Sequence, residues 1–372
     1  MSLFQIDAGK EWRGGQRQSF FLARVLKQKG YPFLFIVQPE SPLHQKAHEA
    51  GLPVFPLKMR SEFDLGAVLR LARAMKRHSC RLAHFHDAHG VAVGASASGL
   101  AKVPLRIISR RVDFPLQKNF FSRRKYTKDI DAIIAISQGV KKVLTDGGIS
   151  PRRIVVIPSG IDFSPFEEVK ARDFLRREFK FAADDYLVGI VAQLEDHKGH
   201  KYLMEASKIL KEQTSRIKII VVGTGSLMME LSKQVQALEV EDIVFFLGFR
   251  EDVPQILSSL DLFVLSSHLE GLGSSIMDAM ACRLPVVATQ TGGIPEIVIN
   301  EETGLLVPPK NPSALAQAIL RLYKDRELAS QLGRRGYELV HEKFSAEAMA
   351  QKIIDLYQKL ADKKGIQLDG KD

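Results

Sequence analysis

Two acids in the C-terminal half, Glu270 and Asp278, are spaced to suit a phosphorylated sugar, and Lys198, far upstream, is a cation that could serve the same phosphate. The two acids bracket Gly271, Leu272, Gly273, Ser274 and Ser275. Glycines there let a ligand approach the backbone closely, and the first turn of a following helix leaves its amide N–H groups free for an anion. A phosphate suits that position. Asp278 would lie ~6 Å along the helix axis at ~1.5 Å per residue, far enough in to bond a sugar hydroxyl, while Glu270 on the loop can face what lies beyond the phosphate. Lys198 would set an ammonium beside a diphosphate and neutralise the charge that grows as the sugar bond breaks. The plain alternative is a strand-to-helix loop with a capping serine, solvated acids and a surface lysine.

The elements that must hold these residues are short and alternate. Leu262–Leu265 reads as a buried strand, and the stretch from Ser274 to Cys282 as a helix that Ser274 or Ser275 can cap. Further strand-like runs in this half are Leu187–Ala192, Ile217–Val222, Ile243–Phe246, Pro285–Thr289 and Gly304–Val307. In the first half they are Leu3–Ile6, Phe33–Val37, Val54–Leu57, Leu82–Phe85, Arg106–Ser109, Ala132–Ile136 and Ile154–Ile157. Helical patterns separate most of these runs, which is the rhythm of parallel, doubly wound α/β sheets. Turn chemistry in Pro158–Asp162 marks a junction. It divides the chain into domains at 1–160 and 161–345, with a last helix, 346–372, that packs back toward the first domain. A polar helix is expected near Val169–Phe179, and only the tail from Lys363 reads as disordered. Ligands of such sheets sit at the carboxyl ends of the strands.

The order of motifs in the second half extends from Leu247-Gly248-Phe249-Arg250 through Glu270 and Asp278 to Gly292-Gly293 and Asn300–Pro309. This succession resembles glycosyltransferase family 4, retaining enzymes of the GT-B fold: two Rossmann-like parallel-sheet domains facing a cleft. The resemblance is strong over 185–325 and weaker in the first half. It implies that Glu270 orients the transferred sugar and Asp278, a Glu in the family pattern, holds the ribose. It also implies that Gly223, in the turn after one strand, lines the donor pocket and that Phe249 and Arg250 hold the nucleotide base, largely through backbone groups. Leu272, Gly273 and Ser274 would receive the diphosphate beside Lys198. The family has an Arg five residues before this Lys; Gln193 stands there, so half of the cationic clamp is replaced by a neutral donor. Gly14 and Gly15 match a family glycine pair that moves over the donor as the cleft closes, and they are assigned to the proximity of the donor or the acceptor, a plain loop being the alternative.

The acceptor side is read from the first half. His84, His86 and His89 could suggest a metal site, but zinc needs three or four ligands with supporting contacts, and nothing nearby in sequence completes a set. His86 and Asp87 are read as the edge of the acceptor site, or else as structural. Arg110 and Arg111 suit a phosphorylated or carboxylated acceptor, because guanidinium grips such groups bidentately; pairing with Asp113 is the alternative. The segment Pro115–Lys128 interleaves Phe120, Phe121 and Tyr126 with five cations and reads as a basic surface for anionic lipid, or as a buried helix with a solvated basic face.

Composition narrows the classes. Residues 1–165 hold 27 Lys and Arg against 12 Asp and Glu, and the remainder 26 against 31, within a net charge of +10. The basic half fits an anionic partner or serves solubility; no zinc-finger or RNA-binding signature points to nucleic acid. Cys80 and Cys282 fall in different halves, which argues against a disulfide framework. No apolar run approaches ~20 residues, and strand-like sequence begins at Leu3, so the expected location is cytoplasmic, including the inner face of the membrane. The expected activity is sugar transfer from a UDP-, GDP- or ADP-sugar to a glycan or glycolipid of the bacterial envelope, such as lipopolysaccharide, with no metal required. A GT-B nucleotide-sugar epimerase and a non-catalytic nucleotide-binding subunit are the alternatives, and the lack of Gly-x-Gly-x-x-Gly after either first strand argues against a dinucleotide oxidoreductase.

Overall fold

Near-continuous apolar runs become strands buried on both faces when helices cover a parallel sheet, and a computed structural model of the chain contains two such sheets. The structure describes residues 2–115, 126–127, 129–167, 169 and 172–368. All of the basic segment 115–128 except Pro115, Tyr126 and Thr127 therefore lies outside the described residues.

The chain divides into two units, one of residues 1–160 and 346–372, the other of residues 161–345. Unit 1 runs β1 (Ser2–Asp7), α1 (Gly14–Gln28), β2 (Phe33–Val37), α2 (Pro42–Glu49), β3 (Val54–Pro56) and α3 (Leu65–Arg77). It continues with β4 (Cys80–Phe85), α4 (Ala88–Leu100), β5 (Leu105–Arg110), β6 (Ala132–Ala135), α5 (Gln138–Asp146) and β7 (Ile154–Val156). Its seven strands lie in the order β3-β2-β1-β4-β5-β6-β7, all parallel. The order reverses between β1 and β4, so the crevice of this sheet opens beyond those two strand ends.

Unit 2 begins with short helices α6 (Ser164–Glu167) and α7 (Phe174–Phe179) in place of the single helix expected near 169–179. Then come β8 (Tyr186–Val191), α8 (His200–Gln213), β9 (Ile217–Val222), α9 (Met228–Ala237), β10 (Val244–Gly248), α10 (Val253–Ser259) and β11 (Leu262–Leu265). It closes with α11 (Ser274–Ala281), β12 (Val286–Thr289), β13 (Leu305–Val307), α12 (Pro312–Lys324) and α13 (Arg326–Lys343). The six parallel strands take the order β10-β9-β8-β11-β12-β13. Here the switch point falls between β8 and β11.

The chain then returns to unit 1 as α14 (Ala346–Lys364). Ala346, Met349, Ala350, Ile353, Ile354 and Tyr357 form its buried stripe at helical spacing, sharing one core with Phe21, Leu22, Val25 and Leu26 of α1. Each fully buried Leu or Ile side chain contributes about 1.5–3 kcal/mol, enough to fasten a helix more than 180 residues away in sequence from the rest of its unit. Helix α14 extends to Lys364 and Leu368 is buried, so the chain through 368 is ordered structure where the sequence reads as a loose tail.

Candidate functional site

In unit 2 the loops after β8 and β11 meet at the switch point. Gly199, at φ +67°, comes so close to the β11 loop that an added Cβ would lie 2.1 Å from the Ser266 carbonyl oxygen; only glycine permits that approach. The His268 amide donates to the His197 carbonyl at 2.9 Å, and Ser266 Oγ donates to the Lys198 carbonyl at 3.2 Å. These backbone bonds place Lys198 Nζ 2.6 Å from Glu270 Oε2, with the two side chains 19% and 11% exposed. Ser267 Oγ donates to the same carboxylate oxygen at 3.2 Å. Beneath it, Thr289 Oγ1 donates to the Ser267 carbonyl, and the Gly293 amide to the Glu270 carbonyl at 3.1 Å. The ammonium and carboxylate singled out from sequence are thus one ion pair, held by the loops of three strands.

Helix α11 starts beside this pair. Gly273, at φ +93°, occupies the N-cap with no side-chain cap, so the expectation that Ser274 or Ser275 caps the helix is corrected: both serines lie within its first turn. No side-chain oxygen caps the first turn; the Ile276 amide donates to the Gly273 carbonyl at 2.9 Å, and the turn's outermost amides are those a ligand can reach. Leu272 is buried, and Asp278, one turn into the helix, is 5% exposed.

The neighbouring loops are glycine-made as well. Gly223, at φ +138°, would place a Cβ 2.0 Å from the Ala192 carbonyl oxygen, and its amide donates to Gly248 at 2.8 Å. This packs the turn after β9 directly on the loop bearing Gln193, which is half-buried. Phe249 is 65% exposed at the end of β10. The Arg250 guanidinium, by contrast, is committed: it bonds Glu178 at 2.6 and 3.0 Å and Asp252 at 2.7 and 2.8 Å. Both carboxylates push its pKa up. The Arg250 side chain is thus a clip that ties the β10 loop to α7, and the expected role of Phe249 and Arg250, largely through backbone groups, does not depend on that guanidinium.

Sequence reasoning passed over His200, the first residue of α8. It is 1% exposed and neither ring nitrogen has a hydrogen-bond partner. Burial, with the charges of Lys198 and His197, pushes its pKa down to about 4, so it stays neutral beside the Lys198 loop.

The unit 1 switch point is built differently. Gly14 and Gly15 are not in a loop: they open α1, whose N-cap is Arg13 without a side-chain bond. A Cβ on Gly15 would stand 3.8 Å from Arg111 Cδ, so these two residues are brought together. Arg111 donates to the His86 carbonyl at 3.1 Å and to His86 Nδ1 at 3.2 Å. From there one directional chain of hydrogen bonds satisfies every contact. His86 Nε2 donates to Gln5 Oε1, and Gln5 Nε2 donates to Tyr357 Oη at 2.9 Å. Tyr357 Oη donates to His84 Nδ1 at 2.5 Å, and His84 Nε2 donates to Ser109 Oγ at 2.8 Å. Each imidazole is thereby fixed in its Nε2–H tautomer. Burial holds both histidines well below the ordinary 6.5, with Arg111 and, for His86, His84 adding to it. Burial also lowers Arg111 to about 10, opposed by Asp7 and Asp87.

Asp87 Oδ1 caps α4, accepting from the Gly90 amide at 2.9 Å and the Ala8 amide at 3.1 Å. Arg110 turns away from this cluster and bonds its own loop, at Val112 O, Phe114 O and Tyr126 Oη. The two adjacent arginines are therefore not a joint grip: Arg111 faces the switch point and Arg110 braces the segment after β5. Among the described residues no group of three His, Cys, Asp or Glu is arranged to hold a metal ion. Tyr357 was invisible to local sequence reading, because its partners are Gln5 and His84, at the other end of the chain.

Two parallel sheets with polar and glycine-lined loops at their switch points define a doubly wound α/β protein of two Rossmann-like units. Residues 12–164 match the family model described as Glycosyltransferase Family 4, and residues 171–339 the model described as Glycosyl transferases group 1. The chain belongs to the family 4-type GT-B glycosyltransferases. It is 31% identical over 185 residues to the N-acetyl-alpha-D-glucosaminyl L-malate synthase of Bacillus anthracis, covering 50% of this chain and 47% of that protein. It is 28% identical over 231 residues to the capsular polysaccharide biosynthesis glycosyltransferase CapM of Staphylococcus aureus, covering 60% of this chain and 60% of that one. The chain thus spans about half the length of the first of these relatives. In fold it is similar to Anabaena HepE, crystallised in complex with UDP and glucose, with a TM-score of 0.86 at 22% identity over 96% of this chain and 100% of that one.

Proposed function

We propose that the chain transfers a sugar, with retention of anomeric configuration, from a nucleoside-diphosphate sugar held by unit 2 to an acceptor recognised by unit 1. The observation that carries this reading is the Lys198–Glu270 pair at the β8/β11 switch point, next to a helix start whose cap is glycine. In this reading the diphosphate lies over the first turn of α11, against the amides of Leu272, Gly273 and Ser274. Lys198 Nζ meets the phosphate oxygens that gain charge as the bond from the anomeric carbon to the diphosphate oxygen breaks. Both recorded bonds of Glu270 fall on Oε2, so Oε1 is the oxygen that orients the sugar hydroxyls. Asp278 holds the ribose. A carboxylate engaged by Lys198 and Ser267 is a poor nucleophile. The acceptor oxygen therefore attacks on the face the diphosphate leaves, and its proton passes to the departing phosphate.

The positive charge comes from Lys198 and backbone amides, so no metal is assigned to this step. Gly15 and Arg111 stand at the acceptor side and suit an anionic group. Relatives named for capsular polysaccharide synthesis support an envelope glycan or glycolipid as acceptor, lipopolysaccharide included, and the UDP and glucose bound by HepE support a nucleotide-sugar donor. Among the described residues no helix is long and apolar enough to cross a membrane. Contact with anionic lipid at the cytoplasmic face, in part through 115–128, belongs to this reading.

Thermal denaturation with UDP, GDP, ADP and their sugars tests it. One nucleotide series at about 100 times its Kd should add ~2.7 kcal/mol of stability, and its sugar should be released as free diphosphate once an envelope acceptor is supplied. No stabilisation by any of the series would refute the donor site.

A further inference from the structure

We propose that the corner between β3 and α3 is a docking surface for an anionic lipid bilayer. Phe63, Leu65 and Leu69 are 87%, 75% and 48% exposed. Leu65 and Leu69 share one helix face at i, i+4 spacing, and Phe63 stands immediately before the N-cap. Single exposed apolar residues are ordinary, but three within seven positions, two of them nearly bare, form a patch. Exposed Lys58 and Arg60 precede it and exposed Arg70 and Arg73 follow it on α3, with Lys76 and Arg77 farther along in the last turn of the helix, against half-buried Glu62 and Asp64.

The tip is held in that shape. Asp64 accepts the Ala67 amide at 2.9 Å and the Arg60 amide at 3.1 Å, and Ser61 Oγ accepts the Phe63 amide at 3.3 Å. Phe63 is therefore pinned outward at the head of a capped helix, the arrangement of a side chain made to insert.

Charge chooses the occupant. Apolar side chains ringed by Lys and Arg are the composition of a helix lying in the headgroup region of a membrane, whereas the cores of protein interfaces are depleted in lysine and other charges. Position agrees. The corner follows β3, so it lies on the carboxyl edge of the unit 1 sheet, the edge that carries Gly15, His86 and Arg111. On the far side of the switch point, after β5, Val112 and Phe114 are 40% and 42% exposed. Four strand spacings of ~4.8 Å put the ends of β3 and β5 ~19 Å apart. Apolar contacts thus flank the residues assigned to the acceptor. Resting on the sugar-transfer reading, this deepens it: the acceptor is a lipid-linked glycan delivered in the plane of the bilayer.

The test is co-sedimentation of the full chain with phosphatidylcholine vesicles, with and without phosphatidylglycerol. Binding should require the anionic lipid and weaken as salt rises. Phe63→Ser/Leu65→Ser/Leu69→Ser and, separately, Arg70→Glu/Arg73→Glu should each lower partitioning by about tenfold or more. Transfer to a short soluble acceptor should stay at the parent level in both, which separates failure of docking from failure of the catalytic reading. A Phe63→Trp variant should shift its emission to the blue on anionic vesicles. Three results would overturn the proposal: corner variants that bind within about twofold of the parent, loss of binding only on Arg123→Glu/Arg124→Glu/Lys125→Glu, or an altered oligomeric state of the triple serine variant with vesicle binding intact. The last would make the corner a contact between copies.

Discussion

Beyond β1 and β4 of unit 1, the switch point is filled by side chains bonded to one another, Arg111, His86, Gln5, Tyr357, His84 and Ser109 in a single chain of hydrogen bonds, with Arg111 Nε left buried and without a partner. Beyond β8 and β11 of unit 2, the same place in the same kind of sheet is made of glycine-permitted backbone contacts and polar pairs, Lys198–Glu270 half-buried among them and Asp196 bonded to His268 and Lys201 at the exposed rim. A closed polar chain rigidifies the floor beneath a surface and leaves Arg111 as its outward end. Bare backbone and a charge pair leave room and polarity for a ligand that brings its own negative charge. Two units with the same winding thus differ in what fills their crevices, which is where function on one fold is decided.

The comparison can be broken most decisively at Lys198. Lys198→Ala should lower turnover by ~10²–10³, the range for removing one charge-stabilising donor, while leaving the unit 1 core as stable as before. A loss below about threefold in steady-state assays would remove Lys198 from the mechanism.

Acid should separate the units next. His84 and His86 have folded pKa values well below 6.5, so each takes up its proton only on unfolding. Their contribution is fully present above about 6.5 and is lost as pH falls below it, at up to ~1.4 kcal/mol per pH unit for each. Unit 2 has one such residue in His200, depressed to about 4. Hydrogen exchange followed by segment between pH 7 and 5 should show β1, β4 and α14 losing protection more steeply than β8 and α8. Equal slopes would contradict the neutral histidine chain.

A smaller effect is expected from Tyr357→Phe, which leaves Gln5 and His84 short of a partner. It should cost about 1–3 kcal/mol in chemical denaturation and weaken acceptor affinity more than donor affinity, because the slack runs to Arg111. Gln193→Arg should give the smallest change. Restoring the second cation of the family pattern beside Lys198 should tighten nucleoside-diphosphate binding by about two- to fivefold in titration calorimetry, the scale of a partly exposed ion pair. No gain would mean that the neutral side chain already makes its contact.

Much of unit 2 was legible beforehand because its information is local. Strands such as Leu262–Leu265 are apolar throughout, and the residues of the site follow strand ends within a few positions, where chain order alone assigns them to one edge of the sheet. Arg250 shows the limit of that logic. Its place in the motif order was plain, but Glu178, 72 positions earlier, takes its guanidinium, and no pattern of spacing reveals a partner that distant.

What the chain's own sequence determined, then, is the alternation of elements, the parallel winding that alternation forces, and the set of loops that meet at each sheet's carboxyl edge. Tertiary structure alone decided which side chains are spent on one another. It drew Tyr357 from the last helix into the unit 1 floor, turned Arg110 and Arg111 apart, and set Lys198 on Glu270. The physical reason is range. Propensity and periodicity act over a few residues, whereas a hydrogen bond or an ion pair depends on atoms being within about 3 Å, whatever their separation along the chain.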